Sequence, residues 1–171
     1  MQDACSCFER CSKPVVAAVQ GACVGAGVDI ITACDVRVCA PTARFCVKEV
    51  DLAITADLGT LQRLPHIVGG GRARELALTA RTIGAAEARE IGLVTRVAPS
   101  EGGLAAAALE VAAGIARKPA LAAWGTKRVL VRGQAGSVQD GLEHVALWNA
   151  AMLWSRELQG ALRGVPQRAR L

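Results

Sequence analysis

The stretch from Pro14 to Cys39 limits this chain more than any other part of it. It opens with Pro14-Val-Val-Ala-Ala-Val19, a short β-branched run stopped at Gln20-Gly21, and so reads as a buried strand. Gly25-Ala26-Gly27 follows as a tight turn into an apolar helix over about Val28 to Ala33. Asp35-Val-Arg-Val-Cys39 alternates as a second strand and ends before Pro41. Strand, glycine turn, helix and strand in close succession point to an α/β class with strands packed under helices.

A third strand is expected from Arg44 to Val50, with Glu49 near its end. From Asp57 to Val68 the leucines fall at helical spacing, interrupted by Pro65. Beyond Gly69-Gly70-Gly71 the pattern turns helical, with candidates at Arg72–Thr79, Ala85–Ile91, Gly102–Ala116, Leu121–Val131 and Ser137–Leu162. Leu93–Ala98 is the one further strand expected there. The change in character sets a boundary near residue 80, dividing a sheet-bearing part (1–80) from a helical part (81–171). A central strand needs a neighbour on each side. Nothing before residue 13 reads as one, so the expectation is of an α/β domain incomplete at its N-terminus.

The bulk composition narrows the partners. Hydrophobic residues make up 52% of the 171, and aromatics only 3%, which suits small-residue helices packed close on sheets. No apolar run is long enough to span a bilayer. The net charge is +5, but the basic residues are scattered and lack interleaved aromatics, so no nucleic-acid face is expected. The seven cysteines all lie in the first third of the chain, and the N-terminus carries no secretory pattern. That usage reads as reduced thiols. Cys5, Cys7 and Cys11 lack paired C-x-x-C spacing, and both histidines are distant in sequence, so no metal site is expected.

Three carboxylates fall where elements end: Asp29 after the glycine turn, Glu49 at a strand end, and Asp57 eight residues later. Asp29 and Asp57 could both simply favour a helix N-terminus. Their apolar neighbours suggest more: Val28, Ile30 and Ile31 flank Asp29, while Ile54 and Leu58 bracket Asp57. Acids held together among apolar side chains separate into one that keeps its proton and one that does not, as paired acid and base chemistry needs. Glu49 and Asp57 are therefore expected to face a common apolar cavity. The glycine turn is open to two readings. It permits a tight connection, or it presents helix N-terminal N–H groups, with Ala26 first, to a negative oxygen.

Lys13 to Asp29, followed by Ala33-Cys-Asp-Val-Arg37, resembles the signature of the enoyl-CoA hydratase/isomerase (crotonase) family. Ala43–Glu49, Gly59-Thr-Leu-Gln-Arg-Leu-Pro65, Thr79-Ala-Arg81 and Gly92–Val97 continue the match in order and spacing. The resemblance implies a crotonase-like spiral of ββα units, and a helical C-terminal region used for assembly into homo-trimers or hexamers. The trio Asp29, Glu49 and Asp57 resembles the dienoyl-CoA isomerases of this family more than its hydratases, which carry a glycine at the position of Asp57. By that resemblance Glu49 removes a proton from C2 of an acyl-CoA thioester, Asp57 returns one at C6, and Asp29 tunes the pair. The Gly25-Ala26 turn would bind the thioester oxyanion through the Ala26 N–H. The acyl-CoA is then the substrate, with no cofactor. The family's first oxyanion donor lies upstream of the strand matched here, so little or no isomerase activity is expected of this chain. Hydration of an enoyl-CoA, or a non-catalytic subunit, are the alternatives. The final Ala169-Arg170-Leu171 resembles a peroxisomal import signal, implying an import receptor as partner and a peroxisomal location, with the mitochondrion as alternative.

Overall fold

A computed structural model describes residues 1–163. The chain divides into two compact units, one of Met1–Cys11 with Val15–Val111, the other of Ser12–Pro14 with the chain from Ala112 on. The division follows Val111 and does not fall near residue 80, because short strands beyond 80 join the sheets of the first unit.

The first unit opens with α1 (Gln2–Arg10), followed by β1 (Val16–Val19), β2 (Ala22–Val24) and α2 (Ala26–Thr32). Next come β3 (Val36–Cys39), β4 (Arg44–Cys46), α3 (Thr60–Val68), α4 (Gly70–Thr79), β5 (Ile83–Gly84), α5 (Ala85–Glu90) and β6 (Arg96–Val97). Two three-stranded sheets form, in orders β1-β3-β6 and β2-β4-β5. The first is parallel throughout, with Val16 opposite Val36 and Cys39 opposite Val97. In the second, β4 runs parallel to β2 and antiparallel to β5. Parallel neighbours separated by helices fit the right-handed crossover logic of α/β units.

The core gathers Val28, Phe45, Leu64, Ile83, Leu93 and Val94, all essentially inaccessible. A second cluster packs Val38 and Ala40 against Ala98, Leu104 and Ala107 of α6 (Leu104–Ala116). Arg37, buried among these elements, donates to the carbonyls of Leu93, Ile31 and Cys34. It thereby closes the C-terminal end of α2, where carbonyls lack helical partners. Burial lowers the pKa of that guanidinium from its usual value, and nearby Cys34 and Asp35 oppose the shift.

Several sequence expectations change on contact with the fold. Among the described residues the run at Pro14–Val19 forms an edge strand, and of β1 only Val19 is buried. The third strand stops at Cys46, and Glu49 instead opens a 3-10 turn over Glu49–Leu52. Helix α3 continues through Pro65, because Leu64 and Val68 anchor it in the core. Proline there removes its own N–H from the ladder and crowds the carbonyl one turn back, a cost that the burial of Leu64 and Val68 offsets. Polar, cysteine-rich α1 was not anticipated; it buries Cys5 and packs on α2.

The second unit holds α7 (Ala120–Gly133), α8 (Val138–Met152) and α9 (Arg156–Leu162). The single long helix expected over Ser137–Leu162 is two. Ser137 and Asp140 form a capping box on α8, and Ser155 caps α9 by accepting from the Leu158 N–H. Trp124 and Trp148 meet edge to face at 5.1 Å, with Arg128 about 6 Å over both rings. Among the described residues no helix is long and apolar enough to cross a membrane.

Candidate active site

The glycine turn and Glu49 are built as one piece. Gly25 adopts φ +55 and donates its N–H to the carbonyl of Cys46 at 2.9 Å, tying the start of α2 to the end of β4. A Cβ at Gly25 would stand 3.1 Å from Glu49 Oε1. Both the backbone angle and the close approach call for glycine. The Glu49 side chain is 8% exposed, and its Oε2 has no hydrogen-bond partner. A buried carboxyl oxygen left unmatched is rare, and marks a place that water or a ligand completes. Ala26 is exposed as the first residue of α2, and among the described residues its N–H reaches no backbone carbonyl. A free donor therefore opens the same turn against which the Glu49 carboxyl is packed.

Asp29 is 1% exposed, in agreement with its apolar neighbours. Its Oδ1 accepts the Thr60 N–H at 2.7 Å, so Asp29 caps α3 from another helix. Sequence reasoning considered a helix-end role for Asp29 only at its own helix. Thr60 itself is fully buried, and its hydroxyl oxygen lacks a partner.

Asp57 departs from expectation. It is exposed, and Ile54, expected to enclose it, is itself 57% exposed. The backbone turns through positive φ at Ala53 and again at Gly59, and the segment between them lies mostly on the surface. The described residues thus do not enclose Asp57 in an apolar cavity with Glu49. A cleft of about 360 Å³ lies instead between α3 and α4, lined by residues such as Leu61, Leu64, Pro65 and Ala73, and none of the five candidate residues borders it. Among the described residues no group of three or more His, Cys, Asp or Glu is arranged to hold a metal. Sequence reasoning also missed Glu9 and Arg63, which join α1 to α3 as an ion pair at 3.1 Å. The helical pattern of α1 and the position of Arg63 one turn after Gly59 were the available signals.

Residues 1–146 match the family model described as Enoyl-CoA hydratase/isomerase. The chain belongs to that family. Among curated members, a peroxisomal Delta(3,5)-Delta(2,4)-dienoyl-CoA isomerase of Arabidopsis thaliana is 54% identical over 95% of this chain and 58% of its own length. The mitochondrial Delta(3,5)-Delta(2,4)-dienoyl-CoA isomerase of Homo sapiens is 45% identical over 99% of this chain and 52% of its own. The chain thus spans about half the length of these relatives. Among solved structures, an enoyl-CoA hydratase of Bacillus anthracis superposes with a TM-score of 0.91 at 31% identity, covering 98% of this chain and 67% of that one. The crotonase-like α/β fold expected from the sequence is therefore present, and the chain is more similar in sequence to these two isomerases than to that hydratase.

Proposed function

We propose that this chain carries part of the active site of a dienoyl-CoA isomerase of fatty acid β-oxidation. The observation that carries the reading is Glu49, buried against the Gly25 turn with one oxygen unmatched. Its carboxylate takes a proton from C2 of a 3,5-dienoyl-CoA. The C–H electron pair then spreads over the thioester carbonyl and the diene. The Ala26 N–H stabilises the oxyanion so formed. A second acid delivers a proton to C6, leaving double bonds at the 2 and 4 positions; Asp57 is the candidate by resemblance, although among the described residues it stands on the surface and shares no apolar cavity with Glu49. Glu49 ends protonated and the second acid ionised, and a return proton resets them. Asp29 supports the pair by fixing the start of α3. The acyl-CoA is the substrate, and no cofactor enters the reaction.

The test is turnover of a 3,5-dienoyl-CoA by the purified chain, followed by absorbance of the conjugated product. Glu49→Gln should abolish that turnover. A hydrated product, or turnover indifferent to Glu49→Gln, overturns the isomerase reading.

Assembly and location belong to the same proposal. Helices α8 and α9 bury none of their described residues, and Leu147 and Trp154 stand largely in solvent. Large apolar side chains so exposed favour association with further copies of the chain into trimers or hexamers. The Ala169-Arg170-Leu171 tail, outside the described residues, supports peroxisomal import through a receptor. The curated relatives include both peroxisomal and mitochondrial proteins. A fluorescent fusion with and without the last three residues distinguishes the two locations.

A further inference from the structure

The segment that carries Asp57 is held by side chains. From Thr55 to Thr60, no backbone N–H donates to a backbone carbonyl among the described residues. Three anchors replace that ladder. Gln2 Nε2 donates to the Asp57 carbonyl at 2.8 Å, Arg63 Nη1 to the Leu58 carbonyl at 3.4 Å, and the Thr60 N–H to Asp29 at 2.7 Å.

Arg63 is the hub of this arrangement. Its Nε and Nη2 reach the two oxygens of Glu9 at 3.1 and 3.2 Å, and Nη2 also donates to Ser6 Oγ at 2.8 Å. The Arg63 side chain is only 11% exposed. A planar guanidinium in two-point contact with a carboxylate fixes orientation as well as distance. The same group lies on Gly59, where φ is +124 and a Cβ would overlap it. Glycine is thus required at the base of the Asp57 segment by the backbone angle and by the seat of Arg63.

We propose that Arg63 is a positioning residue: by locking α1 to the first turn of α3, it sets where Asp57 stands. The proposal rests on the isomerase reading for its catalytic consequence, but the geometric claim stands by itself. It also separates fork geometry from charge. Lysine keeps the charge and loses the two-point contact, so Arg63→Lys should behave like Arg63→Ala.

The experiment is ¹⁵N relaxation on the full chain. In the unaltered protein, the N–H order parameters of Ala56, Asp57 and Leu58 should match those of α3. In Arg63→Lys, Arg63→Ala and Glu9→Gln they should fall below about 0.6, with β3 and α4 unchanged. Millimolar guanidinium added to Arg63→Ala should restore them. Unchanged order at these three residues, or an equal loss throughout the unit, overturns the proposal. In turnover of a 3,5-dienoyl-CoA, kcat should fall at least about tenfold with KM held within about twofold. Failure of the isomerase reading shows separately, as a hydrated product or indifference to Glu49→Gln, whatever the order parameters do.

Discussion

Glu49 Oε1 lies 3.1 Å from the point at which a side chain on Gly25 would begin. The acid and the turn that presents the Ala26 N–H therefore cannot be altered independently. Gly25→Ala must either push the carboxyl aside or shift the turn, and it also places a Cβ on a backbone at φ +55. The expected cost is about 1–3 kcal/mol of stability, read as a lower urea midpoint with unchanged slope.

Asp29→Ala should destabilise the chain, because it leaves the Thr60 N–H buried without an acceptor at the head of α3. The loss is about 1–3 kcal/mol. Asp29→Asn keeps an acceptor oxygen and should lose less. Denaturant titration of both variants checks the order; equal losses would show that the hydrogen bond is not what matters.

Burial pushes the Cys23 thiol from 9.0 up to about 11. The raised value belongs to the folded state, so its stabilisation is complete while the thiol is protonated in both states. It declines as pH rises from about 9 toward 11, where only the unfolded thiol ionises readily. The decline should be roughly 1–3 kcal/mol across that interval, and Cys23→Ala should flatten it in urea titrations run at stepped pH.

The seven thiols should also separate by access. Cys7 and Cys11 are exposed, while Cys5, Cys23, Cys34, Cys39 and Cys46 are buried. A disulfide-exchange reagent at pH 8 should therefore titrate two groups rapidly in the native chain, and the other five only on unfolding.

Trp154 is 81% exposed beyond the end of α8. If copies associate through that region, Trp154→Glu should lower the mass measured by light scattering and leave far-ultraviolet circular dichroism unchanged. An unaltered mass would remove this surface from the assembly.

Much of the fold was legible because it rests on local pattern. The β-branched run before Gly21, the glycine turn and the alternation at Val36–Cys39 all announced their elements. What was missed depends on distant partners. Two-residue β5 exists only because Ile83 and Gly84 lie opposite Phe45 and Arg44, and no periodicity can show that. Pro65 argued for a break in α3, but the buried Leu64 and Val68 on either side outweighed one lost hydrogen bond. In the site, the glycine at position 25 and the burial of Asp29 were readable from neighbours in sequence, whereas Glu49 was expected in an apolar site only through its pairing with Asp57. The exposure of Asp57 was not, since Ile54 and Leu58 flank it along the chain without covering it.

Strand β1 has a further consequence. Among the described residues it pairs on one side only, with β3, and its far side offers amide and carbonyl groups from Val-Ala-Ala-Val to any extended peptide. Such a border is a template for sheet growth. Concentrated or warmed solutions of this chain should accumulate thioflavin-positive aggregates seeded there, and a lysine at Ala18, whose side chain is exposed, should slow their appearance.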